Sequence, residues 1–95
     1  VGSVMSPFEC YLAVRSLRTL YVRVRRQSKS AMKIARFLSD HRAVTAVHYP
    51  GLARNSQHAV AARLLPHGLF GGMLAFEIAG GLPDAIKLIA QLRVF

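Results

Sequence analysis

Apolar positions along the first half of the chain recur at helical spacing. Leu17, Tyr21, Val24, Ser28, Ala31, Ala35 and Leu38 follow one another at three- and four-residue steps, and Leu20, Ile34 and Phe37 widen that stripe on one side. Ser6-Pro7-Phe8-Glu9 is a helix start: the serine can cap free amides, the proline lacks the amide that a first turn leaves unpaired, and Glu9 stands at the reciprocal capping position. Neither Gly nor Pro interrupts the chain between Pro7 and Asp40. One helix of about 34 residues is unusually long for a small domain. The pattern therefore predicts a break near Arg15-Ser16-Leu17, with a short helix before it and a long one after.

The period then shortens. Residues 44–49 are β-branched at Val44, Thr45 and Val47 and are stopped by Pro50-Gly51, which predicts a short strand. Asn55 or Ser56 can cap a helix over residues 58–65, ended by Pro66 and the cluster Gly68, Gly71, Gly72. Residues 73–79 form the clearest strand, with Leu74, Phe76 and Ile78 on one face and Glu77 on the other. Gly80-Gly81 ends it. Pro83 opens a last helix with Ile86, Ile89 and Ala90 as its apolar face, running to Leu92 or Arg93, and Val94-Phe95 resembles the beginning of a further strand. The expected fold class is α/β in two layers, with helices covering one face of the sheet. Two strands are too few for a stable sheet. The remaining strands are expected from outside this segment, which reads as a piece of a larger fold.

Composition supports that picture. The chain has 95 residues, 53% of them apolar, and a mean hydropathy of +0.31. That is rich for a small free-standing domain and suits one covered by neighbours. Cys10 is the only cysteine, so an internal disulfide and a thiolate metal cluster are both excluded, and a reducing, cytoplasmic setting is expected. No apolar run approaches the ~20 residues that cross a bilayer.

Charge raises a different possibility. Thirteen Lys and Arg against four Asp and Glu leave a formal charge of +9. Arg15, Arg18, Arg23, Arg25, Arg26, Lys29, Lys33 and Arg36 invite a nucleic-acid reading, because phosphate backbones can be bound by charge alone. Mapped onto a helix, these side chains spread broadly over its polar surface, and no zinc-finger spacing, stacking motif or GxxG loop accompanies them. A solvated or subunit-contact face is the simpler account. A small basic interaction or nucleic-acid-binding module is the alternative function.

Candidate catalytic groups do not assemble. His41, His48, His58 and His67 are spaced irregularly and have no cysteine among them. Residues 68–72 lack the Lys-Ser/Thr ending of a phosphate loop and precede a strand, so a turn of close approach is expected. Ser6, Ser16 and Ser56 have no base and acid at recognisable spacing. Glu9, Asp40, Glu77 and Asp84 form no carboxylate pair. No catalytic, cofactor-binding, substrate-binding or metal residue is assigned.

The order of several short motifs nevertheless carries a resemblance. Ser6-Pro7-Phe8-Glu9-Cys10-Tyr11-Leu12 is followed by Arg15-Ser16-Leu17-Arg18-Thr19-Leu20, then by Ala31 with Ala35-Arg36-Phe37-Leu38. Val44 to Val47, Tyr49-Pro50-Gly51-Leu52, Gln57-His58, Gly71-Gly72-Met73-Leu74-Ala75-Phe76-Glu77 and Leu92 to Phe95 complete it. Across essentially the whole chain this resembles the Cys/Met-metabolism PLP-dependent enzymes, which include cystathionine gamma-synthases, cystathionine lyases and homoserine-ester sulfhydrylases. The resemblance implies a fold-type I enzyme, a homotetramer, in which pyridoxal 5'-phosphate serves as electron sink for elimination or replacement at the β or γ carbon. Residues 1–40 would end the large domain and supply the linking helix, and residues 41–95 would begin the small C-terminal domain. The Schiff-base lysine, the phosphate-holding tyrosine and arginine, and the aspartate at the pyridine nitrogen would precede Val1. The carboxylate-gripping arginine would follow Phe95. Three positions depart from the family pattern: Val24 for Met, Ser30 for Asn, and Ser16 for Gly, where a φ above zero would strain a serine.

Overall fold

The computed structural model describes residues 2–94. Helix α1 spans Pro7–Leu17, with the full reciprocal cap: Glu9 N donates to Ser6 Oγ at 3.3 Å and Ser6 N donates to Glu9 Oε2 at 2.7 Å. The Ser6 backbone N–H, and after it the Ser6 hydroxyl, favour the charged carboxylate and hold the Glu9 carboxyl below its ordinary pKa. Helix α2 spans Leu20–Ser39. The break falls at Arg18-Thr19, slightly later than expected, and Arg23 bridges it by donating to Ser16 O at 2.9 Å and Thr19 Oγ1 at 3.2 Å. Ser16 lies inside α1 with its hydroxyl donating to Leu12 O at 2.9 Å. Its φ is not positive. The anticipated strain is absent because the chain is still helical at that position.

Strand β1 (Val44–His48) pairs antiparallel with β2 (Ala75–Ile78), Val47 facing Phe76 and His48 facing Ala75, with a register shift between Val44 and Ala46. Between them lie helix α3 (His58–Leu64) and a 3-10 turn at Pro66–Gly68. Neither Asn55 nor Ser56 caps α3; Asn55 Oδ1 instead accepts from Gln57 N at 2.9 Å in the turn before it. Helix α4 spans Gly81–Ala90 and starts two residues earlier than expected, with Pro83 in the first turn, where a missing amide costs nothing. Val94 is not in a strand, and Phe95 lies outside the described residues.

Helix α2 packs on β1 and α4 on β2. The core consists of Ala31, Ala35, Tyr49 and Leu52, with Met32, Val47, Phe70 and Leu74 against it. The long apolar stripe is buried only at Ser28, Ala31 and Ala35, and half-buried at Val24 and Leu38. Leu17, Leu20, Tyr21, Ile34 and Phe37 are exposed, because no other element of the described chain lies over them. The inner face of α4 also differs from expectation. Ala85, Leu88 and Ile89, with Leu92 beyond the helix end, border the groove beside Phe76 and Ile78, and Ile86 does not line it. The radius of gyration is 17.1 Å, against roughly 12 Å for a compact domain of this length.

Candidate functional site

The best-built polar constellation is centred on Tyr49. Its ring is fully buried. The strand delivers it beneath α2, and Gly51 leaves room for it: a Cβ there would stand 2.6 Å from Tyr49 Cε1 and 2.7 Å from Met32 Cε. The phenol donates to Gly71 O at 2.9 Å, and Ser28 O lies 3.4 Å from the same hydroxyl. With one proton to give, the shorter contact is the bond. Gly71 N in turn donates to Ser28 Oγ at 3.1 Å. Gly71 adopts φ +88°, a conformation open to glycine, and this aims both its amide and its carbonyl at the clamp. One buried tyrosine and one buried serine thus lock α2 to the turn that feeds β2. Burial pushes the Tyr49 phenol pKa up.

His58 extends this clamp. Its Nδ1 lies 2.8 Å from Pro50 O, so that nitrogen carries the proton and donates. Its ring lies 5.4 Å from that of Phe70. The other histidines are dispersed. His48 Nε2 meets Glu77 Oε1 at 2.7 Å on an exposed strand face, His41 Nδ1 accepts from Ala43 N at 3.2 Å, and His67 is exposed with φ 63°. Glu77 pairs with His48, Asp84 with Lys87, and Glu9 with the α1 cap, so the carboxylates are not brought together. Ser6 and Ser16 serve helix structure, and Ser56 is exposed. Among the described residues no group of three His, Cys, Asp or Glu could hold a metal, and no helix is long and apolar enough to cross a membrane. Cys10 is free and exposed.

The glycine-rich segment 68–72 is the expected turn of close approach, with α2 as the neighbour approached. Sequence reading took Tyr49 as a strand end and did not find the clamp. A usable signal was present: Ser28 interrupts an apolar stripe, and a polar side chain on a buried face needs a partner.

A second surface is apolar and open. Phe76 and Ile78 of β2 with Ala85, Leu88, Ile89 and Leu92 border a groove of about 430 Å³. It continues into one of about 380 Å³ reaching Phe37, Leu38 and His41 at the end of α2. Neither groove contains a nucleophile placed against a base.

Comparison with known proteins places this geometry. A family model described as Cys/Met metabolism PLP-dependent enzyme matches residues 1–95. Cystathionine gamma-synthase of Mycobacterium tuberculosis is 43% identical over 94 residues, covering 99% of this chain and 24% of that protein. Cystathionine gamma-lyase of Saccharomyces cerevisiae is 42% identical over 96 residues, covering 100% of this chain and 24% of its own length. The crystal structure of cystathionine gamma synthase from Xanthomonas oryzae pv. oryzae in complex with cystathionine superposes with a TM-score of 0.87 at 41% identity, over 95% of this chain and 23% of that one. The chain spans about a quarter of the length of these relatives. Identity of this order along the whole chain, with helices, strands and turns superposing, is common descent: the chain belongs to the Cys/Met metabolism PLP-dependent enzyme family, homologous to fold-type I enzymes of the cystathionine gamma-synthase and lyase kind.

Proposed function

We propose that this chain is a structural segment of a PLP-dependent sulfur amino-acid enzyme, one that synthesises or cleaves cystathionine, or a relative of it, by elimination or replacement at the β or γ carbon. The observation that supports this best is the 41% identity and TM-score of 0.87 against a cystathionine gamma synthase solved with cystathionine. On this reading residues 1–40 end the large domain and provide the linking helix, and residues 41–95 begin the small C-terminal domain. The partners are the rest of the parent chain and, in the assembled enzyme, three further copies in a homotetramer. A cytoplasmic setting accords with a single exposed cysteine.

The residues present do not by themselves fit pyridoxal 5'-phosphate. Lys29, Lys33 and Lys87 are all exposed, and Lys87 is committed to Asp84 at 3.0 Å. None stands in a cavity beside a carboxylate and a phosphate-binding turn. The contribution of this chain is geometric: the Tyr49 clamp sets how α2 meets the sheet, and so how two domains joined by α2 would face each other across a pocket.

A chimera tests this. Residues 1–95 substituted for the matching quarter of the Mycobacterium tuberculosis cystathionine gamma-synthase should give an enzyme that retains PLP and turns over. A folded chimera that holds PLP yet has no activity would overturn the proposal. The 95-residue chain alone, mixed with PLP and borohydride, should acquire no fixed pyridoxyl group at a defined lysine; a stoichiometric adduct would contradict the scaffold role.

A further inference from the structure

The basic run is more organised in three dimensions than along the chain. Arg15 and Arg18 are separated from α2 by the break, and Arg23 is engaged in bridging it. The other five cations, Arg25, Arg26, Lys29, Lys33 and Arg36, are all exposed on α2. At about 100° per residue they fall within an arc of roughly 100°, whose centre lies about 135° from that of the buried face of Ser28, Ala31 and Ala35. None of the five makes an ion pair among the described residues, and Asp40, at the C-cap of α2, bonds none of them. Arg26, Lys29 and Lys33 border one shallow depression of about 280 Å³, floored by Ser30 and Ile34.

We propose that this face of α2 binds the phosphate backbone of a nucleic-acid duplex, without base readout. The face is linear: from Arg25 to Arg36 the helix advances about 16 Å, along which a duplex presents roughly nine phosphates. A line of like charges on successive turns complements a line of opposite charges. An acidic protein surface would more often be met by a mixed, partly apolar patch. Phe37, the aromatic residue at the end of the face, pairs with His41, with ring centroids 5.8 Å apart. The face uses none of the clamp residues, so failure of this proposal and failure of the scaffold reading are distinguishable.

Fluorescence anisotropy of the 95-residue chain against two unrelated duplexes of equal length, at several salt concentrations, tests it. Both duplexes should bind equally, with a dissociation constant of about 10⁻⁴ to 10⁻⁶ M and a log–log salt slope of about −3 to −5. Neutralising the face (R25Q, R26Q, K29Q, K33Q and R36Q together) should weaken low-salt binding by about two orders of magnitude. Removing equal charge elsewhere (R15Q, R42Q, R54Q, R63Q and R93Q) should cost less than about tenfold. Equal losses in the two variants would overturn the proposal, leaving only net charge. A slope shallower than about −1, or tighter binding to polyglutamate than to duplex, would overturn it as well. Should the five-site variant lose its helical circular dichroism, Lys29→Gln and Lys33→Gln taken singly decide: each should reduce the slope by about one, and an unchanged slope refutes the site.

Discussion

Two apolar regions of this small molecule meet the same sheet and end differently. Around Tyr49, Ala31, Ala35 and Leu52, exposure falls to 8% or less, and each buried polar group has a partner. Around β2 and α4, Leu88 keeps 40% of its surface exposed, Leu92 52% and Ile89 65%. The first region closes because small residues on α2 let its backbone approach the strand, so that one tyrosine fills the space between. The second presents larger side chains, yet nothing among the described residues lies over them. Apolar content alone does not make a core. Burial needs a second surface at contact distance, and among the described residues the clamp has one.

That contrast can be broken most decisively at Tyr49. Tyr49→Ala removes the buried ring and leaves Gly71 O and the Ser28 pair around a cavity; urea unfolding should show a loss of about 3–5 kcal/mol. Next in size, Ala35→Leu forces a larger side chain into a fully buried position of α2 and should cost about 1–3 kcal/mol in the same assay. Tyr49→Phe keeps the ring and deletes one hydrogen bond, for about 1–2 kcal/mol. On the open side Leu92→Ser and Ile86→Lys should each move the unfolding midpoint by no more than about 0.5 kcal/mol equivalent. Losses there as large as those at Tyr49 would mean that the two regions do not differ as described.

Two pH effects sharpen the comparison at lower amplitude. Because burial raises the Tyr49 pKa above the ordinary 10.0, its share of stability is complete below that value and is lost as pH rises toward the folded-state pKa. Tyr49→Phe should remove that alkaline loss. The Glu9 carboxyl is shifted the other way. Its support of the α1 cap is complete above 4.5 and disappears as pH falls through the lowered folded-state value. Circular dichroism should register this as a small loss of helix, absent in Glu9→Gln.

Most of the element order was legible from local chemistry. Ser6, Pro7 and Glu9 specify the entry to α1 by themselves, since both cap bonds are made within four residues. The alternation of Leu74, Phe76, Glu77 and Ile78 marked β2. In several places where reading and structure part, the missing information lay further along the chain. A break two or three residues later than expected depends on Arg23 reaching back seven positions to Ser16 O. The phase of α4 was misjudged because Ala85, small and half-buried, is the residue that approaches the sheet while Ile86 is not. Among the eight basic residues of the first half, the break sets Arg15 and Arg18 apart from α2 and Arg23 is engaged in bridging it, which local sequence does not show.

Periodicity, caps and turn residues thus determined by themselves which stretches are helix and strand, and the ordered motifs determined the family, because both are written in contacts between near neighbours or in inherited spacing. Only the tertiary structure decided which apolar positions are buried. The clamp joins Ser28, Tyr49 and Gly71 across separations of 21 to 43 residues. No local preference encodes whether such a separation is closed, because that depends on backbones meeting at a distance set by small side chains on the opposing element.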